Sequence, residues 1–69
     1  RRVAKADLPG GIWVSTVFLG LDHAVGGKPM LFETMIFGPG RDSEYQTRCS
    51  TWEEAEQMHA DAIKSIGTT

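Results

Sequence analysis

The sequence predicts an α+β domain in which a three-stranded antiparallel sheet is followed by one C-terminal helix, packed on one face of the sheet. Two observations support this fold class. Three segments within residues 12–49 are rich in β-branched and aromatic residues, and residues 51–66 show helical periodicity. The 69 residues are predicted to form a single domain, since their composition, 41% hydrophobic and 23% charged, is typical of a small globular protein.

Glycine and proline residues divide the predicted sheet into strands. Residues 1–11, RRVAKADLPGG, end in a turn sequence and are interpreted as a lead-in outside the sheet. The first strand begins at Ile12, and the loop Ala24–Pro29 returns the chain to a second strand, MLFETMIF. The short segment YQTRCS alternates in polarity, which favours a third strand at an edge.

The helix has the strongest local signals. Ser50 and Thr51 are each followed three residues later by a glutamate, so either residue could begin a capping box. Gly67 is expected to end the helix. Helical spacing predicts a stripe that faces the sheet, in which one histidine stands among apolar residues: Trp52, Ala55, His59, Ala62 and Ile66.

The first strand carries large apolar residues on both of its faces. Alternation places Ile12, Val14 and Phe18 on one face. One helix covers only one face, so we expect the other face to bind a second copy of the chain or another protein. Trp13 is the expected anchor of that interface. The predicted interface residues on this second face are Trp13, Val17, Leu19 and Leu21.

Glu33 is a single carboxylate within the apolar second strand, in the segment FETMIF. An unpaired buried carboxylate costs more free energy than one strand position returns, so Glu33 should be solvated, paired or protonated. The simplest interpretation is a structural carboxylate bonded to the backbone, to Arg48 or to a hydroxyl. The alternative is a ligand or general base, for which only His59 or His23 would provide a second group.

His59 lies near the middle of the helix stripe and should therefore face the sheet. Its candidate hydrogen-bond partners there are Glu33, Ser15 and Thr16. A histidine satisfied within the core is the simpler interpretation, and a functional histidine is the alternative.

A polar site for a small molecule or metal would combine Glu33 and His59 with Asp22 and His23, at the end of the first strand. Asp22 has a simpler interpretation as a loop residue that bonds nearby amides. The ligand spacing of structural zinc sites is absent from the sequence, so no metal or cofactor is expected.

Charge is distributed unevenly along a chain whose formal net charge is −2. Acidic residues outnumber basic ones from Asp42 onward, and the sequence lacks the basic stripe that phosphate recognition requires, which argues against a nucleic-acid partner. The acidic side of the helix is interpreted as solvated surface, with attraction of a basic partner as the alternative. Its residues are Glu53, Glu54, Glu56 and Asp61.

The sequence also restricts the cellular setting. It contains no apolar run near the roughly 18 residues that a membrane span needs, so no membrane partner is expected. Cys49 is the only cysteine, which excludes an intrachain disulfide and fits a cytoplasmic location.

Three segments, WVSTVFLGLDH, LFETMIFG and STWEEAEQMHA, occur in an order and spacing that resemble a widespread family of small phage and prophage proteins of unassigned function. The family pattern is close to VSTVFLGLDH, LLFETMVFGG and RYSTWEEAEAGH, and the resemblance covers residues 12–60. This chain differs in its short first loop and at Gln57 and Met58, and it looks like a truncated member. The resemblance implies a phage origin, a location in the host cytoplasm and the binding of a host or phage protein, including inhibition of a host defence protein. It implies no catalytic residues.

The sequence therefore predicts a non-enzymatic protein that binds a protein partner or itself through the uncovered sheet face. The alternative is a small-molecule- or metal-binding protein organised around Glu33, His59 and His23.

Overall fold

Four antiparallel strands and one helix form the fold in the part of the chain that the structure describes. The structure is a computed structural model that describes residues 2–25, 28–40 and 45–67, with side chains except at positions 21–25, 28, 29 and 67. The strands are neighbours in chain order, β1-β2-β3-β4. The elements are β1 (Arg2–Leu8), β2 (Ile12–Val25), β3 (Lys28–Phe37), β4 (Tyr45–Cys49) and α1 (Trp52–Gly67).

The prediction of an α+β fold is confirmed, but the prediction of three strands is wrong. The segment interpreted as a lead-in contains β1, which pairs antiparallel with β2 from Leu8 opposite Ile12 to Arg2 opposite Val17. Its sequence, RVAKADL, contains small and charged residues in place of the bulky ones that favour a strand. The strand forms because it pairs with β2. This pairing is a tertiary contact, which local composition does not predict.

The other strand predictions agree with the structure, with one correction. β4 is at the edge of the sheet, beside β3. The hairpin loop was predicted to span Ala24–Pro29, but β2 and β3 continue pairing to Val25 opposite Lys28. The connection is therefore shorter than predicted, and its residues 26–27 lie outside the described part of the chain.

The core lies between α1 and one face of the sheet, where the helix packs over β2, β3 and β4. Val14 and Ala62 are completely buried and Ile36 is 2% exposed, and these three side chains form one cluster. The partly buried residues packed around this cluster are Ala6, Leu8, Ile12, Tyr45, Ile63 and Ile66.

The first turn of α1 is held by a capping box, as the sequence predicts. The structure selects Thr51 as the capping residue: its Oγ1 accepts a hydrogen bond from the Glu54 backbone amide at 3.1 Å. The Glu54 carboxylate in return accepts hydrogen bonds from the backbone amides of Ser50 and Thr51, both at 3.1 Å. These bonds satisfy amides that the first turn leaves without helical partners.

We expect Thr51→Ala to lower the free energy of unfolding by about 1 kcal/mol, because the first turn loses its side-chain acceptor. Ser50→Ala is the matched control, since within the described ranges the Ser50 hydroxyl hydrogen-bonds only to the Met30 sulfur, at 3.8 Å. Urea denaturation of the two variants measures the difference. Equal losses in both variants would contradict the assignment of Thr51 as the capping residue.

No helix in the described ranges is long and apolar enough to span a membrane.

Candidate functional site

In the part of the chain that the structure describes, two surfaces carry side chains that could bind another molecule. The open face is the side of the sheet opposite α1, and the side groove lies between β1 and α1. The cross-strand register and the alternation of side chains place these residues of β2 and β3 on the open face: Trp13, Ser15, Val17, Leu19, Leu31, Glu33, Met35 and Phe37.

The two central strands make the middle of the open face largely apolar, and in the described residues no second layer packs on it. Trp13 and Phe37 stack across β2 and β3 with their ring centroids 4.3 Å apart and an interplanar angle of 21°. The predicted interface residues Trp13, Val17 and Leu19 share this face and are half-buried. The side chain of Leu21, the fourth predicted residue, lies outside the described residues.

Two cations of β1 lie over Trp13. The Arg2 guanidinium is 5.6 Å and the Lys5 ammonium 5.0 Å from the centroid of a Trp13 ring. Both distances are within the range of cation–π attraction. The sequence interpretation missed this cover because it placed residues 1–11 outside the sheet, although the alternation of Lys5 and Asp7 with small residues was a signal for it.

Glu33 lies on the open face, where its carboxylate accepts hydrogen bonds from two residues of β4. Arg48 Nε donates at 2.9 Å and Gln46 Nε2 at 2.5 Å. The Glu33 side chain is only 12% exposed, whereas that of Arg48 is 40% exposed. Arg48 is the partner named in the simpler interpretation, and its charge compensates a carboxylate that would otherwise be costly to bury.

His59 lies on the other side of the sheet, so the structure does not bring it together with Glu33. Its Nδ1 is 2.7 Å from Thr16 Oγ1, which in turn is within hydrogen-bond distance of Thr34 Oγ1. Thr16 is one of the three partners that the sequence suggested. The predicted polar site is therefore not assembled from Glu33 and His59, and the side chains of its other members, Asp22 and His23, lie outside the described residues.

Burial lowers the pKa of His59 below the ordinary value of 6.5. Between the folded and unfolded pKa values, the unfolded chain binds more protons, so stability increases with pH across that interval. The contribution of neutral His59 is fully present above pH 6.5 and is lost as the pH falls through the lower pKa of the folded state. We expect His59→Gln to flatten the pH dependence of the unfolding midpoint just below pH 6.5. His23→Gln is the control variant. An unchanged slope in His59→Gln would contradict the assignment of this pH dependence to His59.

The side groove has a volume of about 190 Å³. Its walls come from the outer part of the sheet and from the first half of α1. Trp52 is 52% exposed here, although the helix stripe predicted that it faces the sheet. The aromatic contact of Trp52 with the core is a T-shaped approach to Phe32, with 5.8 Å between the ring centroids. The groove is lined by Val3, Ala4, Thr16, Trp52, Ala55, Glu56 and His59.

The predicted acidic side of the helix separates into residues with different surroundings. Glu54 belongs to the capping box, and Asp61 accepts a hydrogen bond from Gln57 Nε2 at 2.8 Å. Glu56 lines the side groove, whereas Glu53 does not. All four acidic side chains are exposed. They do not act as one unit, because Glu54 and Asp61 have different hydrogen-bond partners and Glu56, alone of the four, lines the side groove.

Cys49 lacks the features of a nucleophile. Burial raises the pKa of its thiol, and the nearby negative charge of Glu54 raises it further. Reactive cysteines have lowered thiol pKa values, so this environment favours the unreactive, protonated form. Within the described ranges, no group of three or more histidine, cysteine, aspartate or glutamate residues is arranged to hold a metal ion.

The fold and these two surfaces define a small α+β protein with an open sheet face. Comparisons with protein-family models, with curated proteins and with solved structures each found no match. The resemblance to phage proteins therefore stays a prediction.

Proposed function

We propose that the chain is a non-enzymatic interaction protein that self-associates through the open face. The observation that supports this proposal is the distribution of apolar side chains on both faces of the sheet, with a helix on only one of them. The open face presents the half-buried side chains of Trp13, Phe37 and Met35. A second layer packed on them would remove further apolar surface from water.

A second copy is the partner that best fits the charges around the open face. The β1 side carries both signs, since Lys5 and Asp7 are an ion pair at 3.5 Å and Arg2 lies nearby on the same strand. The β4 side also carries both signs, in the pair Glu33 and Arg48. A two-fold axis parallel to the sheet can therefore place bases of one copy opposite acids of the other, which satisfies the self-complementarity of a symmetric dimer.

The size of the open face predicts a weak dimer. Four strands about 4.8 Å apart, each with about seven residues rising about 3.3 Å, give a flat area of roughly 450 Å² on each copy. Stable complexes bury about 800 Å² on each partner. The area that the open face can bury is below that value, even when the roughness added by its side chains is included. We therefore expect a dissociation constant that is roughly micromolar or weaker.

Sedimentation equilibrium of the purified chain tests the proposal. The average mass should increase from the monomer value towards twice that value as the concentration rises from about 0.1 μM to about 1 mM, a range that begins below a roughly micromolar dissociation constant and extends far above it. A monomer mass that persists over the whole range would contradict self-association.

The resemblance to phage proteins supports a further proposal, that a host or phage protein binds the same face in place of a second copy. Its test is competition: such a partner should dissociate the dimer as it binds. A partner that binds without changing the monomer–dimer equilibrium uses another surface and contradicts this proposal.

A further inference from the structure

The side groove has an origin that is separate from the open face. The register of β1 against β2 shifts between Arg2 and Ala4, which leaves Val3 as an extra residue in the edge strand. Consecutive residues of a regular strand point to opposite faces, yet Val3 and Ala4 both line the groove. The bulge therefore turns Val3 towards α1 and creates an apolar wall opposite the helix.

The helix supplies the opposite wall and the polar groups of the groove. Trp52 presents a half-exposed indole, Ala55 leaves room beside it, and Glu56 follows at the next position. Among the described residues, the Glu56 carboxylate has no ion-pair or hydrogen-bond partner. No basic residue of the described chain lines the groove apart from the imidazole of His59.

His59 adds a polar atom without adding positive charge near neutral pH. Its Nδ1 is occupied by Thr16, which leaves Nε2 for a ligand. Burial lowers the pKa of the imidazole, so the neutral form predominates at pH 7. The groove thus combines an aromatic ring, an unpaired carboxylate and a neutral imidazole around an apolar interior.

We propose that the side groove binds a small organic amine, with its apolar or aromatic stem between Trp52 and Val3 and its ammonium group against Glu56. An aromatic face and a carboxylate both attract a cation, and the ammonium can also donate a hydrogen bond to Nε2 of His59. The volume of about 190 Å³ suits a molecule of the size of 2-phenylethylamine. This inference is independent of self-association, because the groove and the open face lie on opposite sides of the sheet.

Titration with 2-phenylethylamine, followed by NMR of the Trp52 indole and the His59 imidazole, tests the proposal. A probe this small in an open groove should bind with a dissociation constant of roughly 1 mM. The uncharged 2-phenylethanol has the same stem and should bind about fivefold more weakly, because it lacks the charge that Glu56 recognises. Equal affinities of the two probes, or the absence of saturable shifts with the amine, would overturn the proposal.

Two glutamates on the same helix provide matched variants. Glu56→Gln should weaken binding of the amine about fivefold and leave binding of the alcohol unchanged, whereas Glu53→Gln should change neither by more than about twofold. An equal loss in both variants would show a general effect of helix charge and would reject the site. Tighter binding of N-acetyl-lysine amide than of 2-phenylethylamine would also reject it, because the ligand would then be a protein side chain. Sedimentation measures self-association separately, so failure of either proposal can be recognised.

Discussion

Ile36→Ala is expected to lower the free energy of unfolding by about 3 kcal/mol, within the range of large-to-small substitutions in protein cores. Ile36 is 2% exposed and contacts the central cluster formed with Val14 and Ala62. Its truncation leaves a cavity beneath α1 that two neighbouring small side chains cannot fill. A chain of 69 residues has a total stability of about 3 to 10 kcal/mol, so this single change removes about 30% of it or more.

Urea denaturation at pH 7 measures this loss, with two controls. Ile36→Val removes one methyl group and should cost about 1 kcal/mol. Ile63→Ala truncates an isoleucine that is only half-buried at the side of the cluster, so its cost should fall below that of Ile36→Ala. A larger loss for Ile63→Ala than for Ile36→Ala would contradict the position of the core described here.

Val17→Lys is expected to weaken self-association at least about tenfold, because it places a charge at the centre of the open face that a second copy would have to desolvate. Val17 pairs with Glu33 on β3 and with Arg2 on β1, so it occupies the middle of the four-stranded layer. The lysine would be solvated in the monomer and would lie beside Glu33. We therefore expect little loss of monomer stability.

Gln57→Lys is the matched control for Val17→Lys, because it makes the same change in charge at an exposed helix position. Sedimentation equilibrium should show the wild-type dissociation constant for Gln57→Lys and a predominantly monomeric Val17→Lys. Thermal unfolding of dilute samples establishes that both variants are folded. A folded Val17→Lys that dimerises as strongly as wild type would contradict the open face as the interface.

The helix was predictable from sequence because its signals are local. The capping box needs only Thr51 and Glu54, and the buried positions Ala55 and Ala62 follow from helical spacing. The same spacing failed for Trp52, which is 52% exposed and approaches Phe32 edge-on, with 5.8 Å between ring centroids. Periodicity gives the direction of a side chain but not the presence of a neighbour to bury it.

The division of the sheet into two faces was also predictable, since the alternation in β2 separates Val14 from Trp13 and Val17. The sequence did not reveal β1, and this one omission hid both the cations over Trp13 and the outer wall of the side groove. Val3 lines that groove because of a register shift, and register is decided by pairing with β2. Whether Glu33 and His59 could form one polar site likewise depended on which face of the sheet each residue occupies.

The most direct test of the open face as the site of self-association is an isotope-filtered NOE experiment on a mixture of ¹³C-labelled and unlabelled chains, at a concentration where the dimer predominates. We expect intermolecular NOEs from the methyl groups of Val17 and Met35 to the aromatic protons of Trp13 and Phe37. The absence of intermolecular NOEs at these residues, or their restriction to residues of α1, would contradict the proposal.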